Sequence, residues 1–356
     1  MTMPGRWLAA LAVGSALSAC SEPAGEEADA APENEPEVVA SDGQGVSSDT
    51  AEAGAVWSVP RTLWGDPDFE GMWPIDNMNG TPLQRPAEFG DRRFLTDAEF
   101  AEREERLEAL NARYDDETAS NKMNIGHWAE MGEPNRLTSL VSEPANGRLP
   151  PLTEAGAAKS AELTSSWSPI DFEAISDFNA LDRCVTRGMP ASMFPFMYNS
   201  GMEIIQAPGV VVIRLELIHE ARIIPVDGRP ALDPKVRNWM GASRGRWEGD
   251  TLVIETTNFN GRTPMIIHGP VGNPVPTSEA MRIEERLTRT GPDTIEYQVS
   301  VEDPEMLTAA WTAAFPWTRD PDYEIYEYAC HEDNHIIRDL MNITRVENGL
   351  ERIVGE

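Results

Sequence analysis

The sequence predicts an α+β protein that is mainly β, with a helical and irregular part before a C-terminal antiparallel β domain. Two observations support this fold class. From residue 181 onward, stretches rich in Val, Ile, Thr and Tyr alternate with turns built from Gly, Pro and Asp. No helix-forming stretch separates them, which argues against a parallel α/β sheet. We therefore expect residues 181–356 to form an antiparallel meander that closes into a barrel or sandwich around a pocket.

The helices are expected in residues 57–180. Thr96 is a candidate N-cap, and Glu99 three positions later completes a capping box for a helix that runs to about Tyr114. A second helix is predicted over residues 153–164 and begins at its cap, Thr153. The remainder of this part is expected to be irregular and packed on the β domain.

Seven segments carry the β prediction, and a tight Gly-Asp turn makes one of them a hairpin. They are GVVVIRLELIHE (209–220), ARIIP (221–225), the hairpin RWEGDTLVIETTNF (246–259), RIEERLTRT (282–290), TIEYQVSVED (294–303), AAWTAAFPW (309–317) and YEIYEYA (323–329).

The N-terminus predicts export. Residues 1–19 combine a positive charge, a short apolar run and small residues, as secretory signal peptides do. The sequence LSAC, which ends at Cys20, resembles the lipobox of bacterial lipoproteins. This resemblance implies cleavage before Cys20 and lipid attachment to its thiol, and Ser21 resembles the signal for the outer membrane. The implied protein is lipid-anchored in the bacterial cell envelope and contacts the membrane through Cys20 only. An ordinary signal peptide with a chance cysteine is the alternative.

Residues 20–56 are predicted to be an acidic, disordered tether. Residues 21–56 hold ten Asp or Glu and no Lys or Arg, and large apolar side chains are scarce. Such a segment buries too little apolar surface to offset the entropy of ordering it.

Cysteine usage predicts a disulfide. If Cys20 carries lipid, Cys184 and Cys330 remain in a compartment that is oxidising. An even pair in that compartment predicts a bond between them.

Four blocks resemble a family of secreted bacterial proteins whose reaction is not established. They are RCVTRGMP (183–190), IHEARIIPVDGRP (218–230), SRGRWEGDTLVIETTNF (243–259) and YEYACHE (326–332). The resemblance spans most of residues 60–345. The family's form of the last block is CHEGNY, so His335 departs from that pattern, and the function has to come from the residues.

The last block contains the sequence His331-Glu332-x-x-His335. On a helix this spacing places two imidazoles on one face beside a glutamate, an arrangement that binds zinc and activates water. Here a strand-like stretch precedes the block, and the two residues between Glu332 and His335 disfavour a helix interior. No metal or cofactor is therefore favoured, and zinc at His331 and His335 is kept as an alternative.

His219 is the first candidate for acid–base chemistry. It is in phase with the apolar face of the strand predicted over 209–220, so its ring is expected to face the interior. A histidine satisfied by backbone groups and a general acid or base at the mouth of a pocket both fit this position. Arg222, which opens the next predicted strand, is its expected neighbour.

Carboxylates in phase with apolar faces are the expected partners. Glu285 and Glu327 each alternate with apolar residues. A buried carboxylate costs several kcal/mol unless it is paired or protonated, so such groups would gather near His219 and Arg222 as the polar centre of a pocket. A register error of one residue would instead turn them to solvent. The predicted disulfide would bring His331 and Glu332 to the rim of the same cavity.

These observations leave four functions open. The first is cofactor-independent acid–base catalysis of the isomerase, lyase or hydratase type on a small amphipathic molecule. The second is binding or carriage of that molecule without turnover. The third is zinc-dependent hydrolysis, and the fourth is a structural role in the envelope. The net charge of −31 makes nucleic acid a poor partner, and no phosphate-binding glycine loop or GxSxG nucleophile elbow occurs.

Overall fold

The computed structural model describes residues 57–120, 129–266, 274–332 and 334–353. The predicted signal peptide (1–19), Cys20 and the tether (20–56) lie outside the described residues. Within the described part of the chain, no helix combines the length and apolar character that crossing a membrane requires.

Three α-helices lie in the described residues: α1 (Asp97–Ala119), α2 (Glu154–Glu162) and α3 (Ile336–Glu347). The two predicted helices are confirmed together with their caps. The Glu99 carboxylate accepts a hydrogen bond from the Thr96 amide at 2.8 Å, and the Thr153 hydroxyl accepts one from the Gly156 amide at 2.9 Å. Helix α3 was not predicted.

The described strands are mostly short. They are β1 (Gly71–Met72), β2 (Val141–Glu143), β3 (Met202–Ala207), β4 (Val210–Leu215), β5 (Ala221–Pro225), β6 (Ala242–Glu248), β7 (Thr251–Thr257), β8 (Pro264–Ile266), β9 (Val275–Pro276), β10 (Arg282–Gly291), β11 (Thr294–Glu302) and β12 (Trp311–Thr318).

The strands form three antiparallel sheets. One has the order β1-β3-β4-β5, the second β2-β12-β11-β10-β7-β6, and the third is the pair β8-β9. The prediction of a mainly β, antiparallel α+β fold is confirmed, and the hairpin turn falls between β6 and β7 as expected. The described strands do not close into a barrel. The N-terminal part supplies an edge strand to each large sheet, β1 and β2.

The two large sheets share one apolar core. Strands β10, β11 and β12 bury every second residue, and their buried side chains join those of β3, β4 and β5 in a single cluster. A period of two that buries one face is the pattern expected of a sheet packed on one side only. Glu285 stands on the buried face of β10, between Ile283 and Leu287.

Two edge strands, β5 and β6, lie side by side without pairing. In the described part of the chain no backbone hydrogen bond joins them. They are nevertheless in contact, because a Cβ atom built on Gly245 of β6 would lie only 2.8 Å from Val226 and 3.0 Å from Ile224. The unpaired seam between them is therefore narrow at Gly245 and opens toward the first residues of both strands.

Two strand predictions are wrong in part or in full. The segment 209–220 is a strand only to Leu215, and its backbone then turns through left-handed conformations at Ile218 (φ 62°) and His219 (φ 43°). The segment 323–329 is not a strand. It forms an irregular strap, defined here as residues 319–332, that lies against the turn after β4.

Candidate functional site

The centre of the shared core holds an ion pair between Arg222 of β5 and Glu285 of β10. Both guanidinium nitrogens donate to the carboxylate, and the Nη1–Oε1 distance is 2.8 Å. The hydroxyl of Tyr297 on β11 donates to the same Oε1 at 2.8 Å. Arg222 is 5% exposed, and Glu285 and Tyr297 are fully buried. The predicted approach of Arg222 and Glu285 is therefore present.

The surroundings of Arg222 favour its charged form. Burial alone would lower the pKa of Arg222, but the Glu285 carboxylate outweighs burial and the pKa is raised. Burial and the same carboxylate raise the pKa of the Tyr297 hydroxyl well above its ordinary value. Both oxygens of Glu285 are occupied by donors, so the carboxylate stabilises the contact between the two sheets and is not free to take a proton from a ligand.

Arg222 also lines a cleft of about 290 Å³ at the open end of the seam, the β5–β6 cleft. Its apolar walls come from both strands and from the covering segment 229–241. They include Ile223, Pro225, Leu232, Met240 and Ala242. Its uncharged polar groups are the side chains of Asn238, Ser243 and Thr257. The lining is about equally polar and apolar, and convergent polar groups beside apolar walls are a feature of small-molecule sites.

The charge of the cleft is one-sided. Arg222, Arg229 and Arg244 line it, and none of its described lining residues is Asp or Glu. Each arginine has an acidic partner outside the lining: Glu285, Asp227 and Glu255 respectively. The Nε atom of Arg222 is buried and has no hydrogen-bond partner among the described residues. The described lining therefore presents arginine side chains and no carboxylate to a ligand.

His219 lies outside this cleft. The prediction that its ring faces the interior is wrong, because β4 ends at Leu215 and the following turn brings the ring to the surface. There Nδ1 lies 2.8 Å from the main-chain oxygen of Tyr328 in the strap. The same turn buries Glu216.

Glu220 connects the surroundings of His219 with those of Arg222. Burial raises the pKa of this carboxyl, while hydrogen bonds from Thr186 and Ser192 and the charges of Arg222 and His219 oppose the rise. The Ser192 hydroxyl also lies 3.8 Å from the sulfur of Met240, which lines the cleft. Glu220 is therefore one layer of side chains behind the cleft wall. Sequence reasoning missed it because it does not lie on a regular strand.

Glu216 belongs to a second polar cluster that was also missed. The Tyr323 hydroxyl donates to Glu216 at 2.7 Å and lies 3.3 Å from the carboxylate of Glu130. Asn199 donates to the other oxygen of Glu216 at 2.9 Å. Burial raises the pKa of Glu130, with Glu216 adding a smaller contribution, and the amide of Ser200 opposes the rise. No sequence pattern brings these residues together, since they come from four separate segments.

The predicted carboxylates of the strap do not enter the core. Glu327 and Glu332 are exposed, and the interior orientation expected for Glu327 is wrong because the strap has no partner strand to impose a period of two. His331 is also exposed, in a turn. His335 occupies the N-cap position just before α3, so the two histidines do not share a helix face. Across the described residues, no three His, Cys, Asp or Glu side chains are grouped to hold a metal ion.

The predicted disulfide is confirmed. Cys184 and Cys330 are bonded, with their Cα atoms 5.7 Å apart. The bond attaches the strap to the segment before β3, and the strap is held further by the amide of Tyr326, which donates to Glu216 at 3.2 Å. The strap thereby closes over the turn that carries His219.

Comparisons with protein-family models, with curated proteins and with solved structures found no significant match. The fold and the site therefore define the chain only as a mainly β, disulfide-bonded α+β protein with an arginine-lined cleft between two sheet edges. The resemblance of the four sequence blocks to a secreted bacterial family stays a prediction.

Proposed function

We propose that the protein is a lipid-anchored binding protein of the bacterial cell envelope whose β5–β6 cleft holds a small amphipathic anion. One observation carries the proposal: three arginines and no described carboxylate line the cleft of a chain with 60 acidic and 29 basic residues. The net negative charge of the chain repels anions on average. Arginines without carboxylates in the lining of one cleft therefore indicate a ligand with negative charge. The apolar walls account for the remainder of that ligand.

The cleft has the size and chemistry for such a molecule. Its volume of about 290 Å³ lies near the lower end for ligand sites. Arginine donates in a planar fork that matches a carboxylate or phosphate. Arg244, which is half exposed, supplies such a donor at the rim.

A fluorescent amphipathic anion, 8-anilinonaphthalene-1-sulfonate, tests the proposal by titration of the folded chain. We expect saturable binding that Arg244→Gln weakens about tenfold, as loss of a charged hydrogen bond implies. The matched control is Arg246→Gln, since both arginines lie on β6, are equally exposed and pair with Glu255, but only Arg244 lines the cleft. Equal effects of the two variants, or no saturable binding, would overturn the proposal.

The lipid anchor is proposed from Cys20 alone. We expect the wild-type chain to incorporate radiolabelled fatty acid and to partition with the membrane fraction of a bacterial host. Cys20→Ser should lose both properties, because the body offers no other anchor in this proposal. Label retained by Cys20→Ser would contradict the assignment.

Acid–base catalysis is a second candidate, favoured by Glu220. Its pKa is raised by burial, and His219 lies close enough to affect it. Because Glu220 lies behind the cleft wall, the Ser192 hydroxyl, which contacts both Glu220 and Met240, would relay the proton. Such a relay would exchange the acidic C–H hydrogens of a bound amphipathic 2-oxo acid, such as 4-phenyl-2-oxobutanoate, in D₂O. Proton NMR should show exchange that Glu220→Gln abolishes without loss of binding. Binding without exchange would leave the carrier function alone.

A further inference from the structure

The walls of the β5–β6 cleft contain main-chain groups as well as side chains. In the β4–β5 ladder, Leu215 donates to the carbonyl of Glu220, and Val226 donates to the carbonyl of Gly209. Hydrogen-bonded and non-bonded pairs alternate along an antiparallel ladder. Since Arg214 pairs with Ala221 and Val212 with Ile223, the N–H and C=O groups of Ala221 and Ile223 point away from β4, at the free edge of the sheet.

Strand β6 presents a similar row from the other side. A two-residue turn joins Glu248 to Thr251, and such turns close on a hydrogen-bonded pair. Residues of a ladder alternate between bonded and non-bonded positions, so the main-chain groups of Ser243 and Gly245 point away from β7. Ser243 also lines the cleft.

The main-chain N–H and C=O groups on the free edge of β5 do not form hydrogen bonds with those on the free edge of β6. No backbone hydrogen bond joins β5 to β6 within the described residues, and the strands separate from the Gly245 end toward the cleft. Free sheet edges are the surfaces to which extended peptides add as strands. A fatty acid would use the arginines and the apolar walls but would leave the amide rows without partners.

We propose that the ligand of the β5–β6 cleft is a short extended peptide with apolar side chains and a free C-terminal carboxylate. Its main chain pairs with Ala221 and Ile223, its side chains contact the apolar walls, and its carboxylate meets Arg244. This proposal rests on the proposed anion-binding function and specifies the class of anion.

The decisive comparison uses acetyl-Val-Leu-Leu as a free acid, its C-terminal amide, and the analogue in which an ester replaces the central amide. Calorimetric titration should show the ester about fivefold weaker than the acid, since it lacks one N–H donor. The C-terminal amide should be about tenfold weaker, since it lacks the charge.

A backbone variant tests the edge from the side of the protein. Ile223→Pro removes an N–H that points away from β4, so the ladder keeps its hydrogen bonds. It should weaken the peptide about fivefold. Ile223→Val keeps the N–H and is the matched control. If the proline variant does not fold, by circular dichroism, the ester comparison still decides.

The two proposals fail differently. An ester bound as tightly as the amide, or dodecanoate bound more tightly than the peptide, while the fluorescent anion still binds, would overturn the peptide assignment alone. If the peptide, dodecanoate and the fluorescent anion all fail to bind, the anion-binding function is overturned as well. Pairing of two chains through this edge, detected as a dimer that the peptide does not dissociate, would also overturn the assignment.

Discussion

The Nδ1 atom of His219 lies 2.8 Å from the main-chain oxygen of Tyr328, a residue 109 positions further along the chain. A carbonyl oxygen only accepts hydrogen bonds, so Nδ1 carries a proton, and Nε2 is the unprotonated nitrogen of the neutral ring. The contact fixes the orientation of an exposed ring and joins the turn after β4 to the strap.

Replacement of this histidine should loosen the strap without unfolding the core. We expect His219→Ala to raise the amide hydrogen exchange of residues 326–330 severalfold, because one of the contacts that hold the strap is lost. His331→Ala, at an exposed histidine of the strap itself, should leave the exchange unchanged. Equal exchange in both variants would show that the His219 contact does not hold the strap.

Removing one partner of the Arg222–Glu285 pair should lower the free energy of unfolding far more than replacing both partners with apolar side chains. Glu285→Ala leaves a buried, unpaired guanidinium, and we expect a loss of about 3–5 kcal/mol in the free energy of unfolding. The double variant Arg222→Met/Glu285→Leu should recover most of that loss, since two apolar side chains need no partner. Urea unfolding of the single and double variants measures both. A double variant as unstable as the sum of the two single ones would contradict the prediction.

Glu130 should make stability fall as pH rises. Because its folded-state pKa is raised, mainly by burial, folding favours the protonated form. The resulting stability is present below the unfolded pKa and is lost as pH rises through the folded pKa. Glu130→Gln should therefore flatten this dependence between pH 4 and neutrality and be at least as stable as wild type at pH 7. Thermal unfolding across that range checks it, with the exposed Glu133→Gln, from the same segment, as control.

The disulfide should contribute several kcal/mol. It closes a loop with a sequence separation of 146 residues, for which chain entropy gives an upper figure of roughly 5 kcal/mol. We expect the double variant Cys184→Ser/Cys330→Ser to fold with a clearly lower melting temperature, measured by circular dichroism. Thiol titration of the denatured, unreduced wild type should find neither cysteine free, and two free thiols at these positions would refute the bond.

The strand pattern predicted the buried partners that lie inside long, paired strands. Glu285 alternates with apolar residues on β10, which has a neighbour on each side, so the period of two holds and the inward orientation follows. The contact between Glu285 and Arg222 was also predictable, because Arg222 occupies an inward position on β5. The disulfide needed only a count of cysteines and an oxidising compartment.

The pattern failed where the chain leaves regular structure. His219 and Glu327 are both in phase with apolar residues in the sequence. A left-handed turn at Ile218 and His219 changes the orientation of His219, and Glu327 has no partner strand to fix its orientation. Left-handed φ at Ile218, a β-branched residue, is a conformation that no local rule predicts. The cleft and the Glu130–Tyr323–Glu216 cluster depend on contacts between distant segments, which single-sequence patterns do not contain.

The position of Cys330 has a consequence for the order in which the protein matures. Cys184 emerges first, and its partner follows only after a further 146 residues. At synthesis rates of about 5–20 residues per second, this delay is on the order of 10–30 s. Strands β3 to β12 all emerge within that interval, so both large sheets can pair before the bond is available. The bond that links the strap to the segment before β3 therefore depends on a cysteine that follows every described strand of both large sheets.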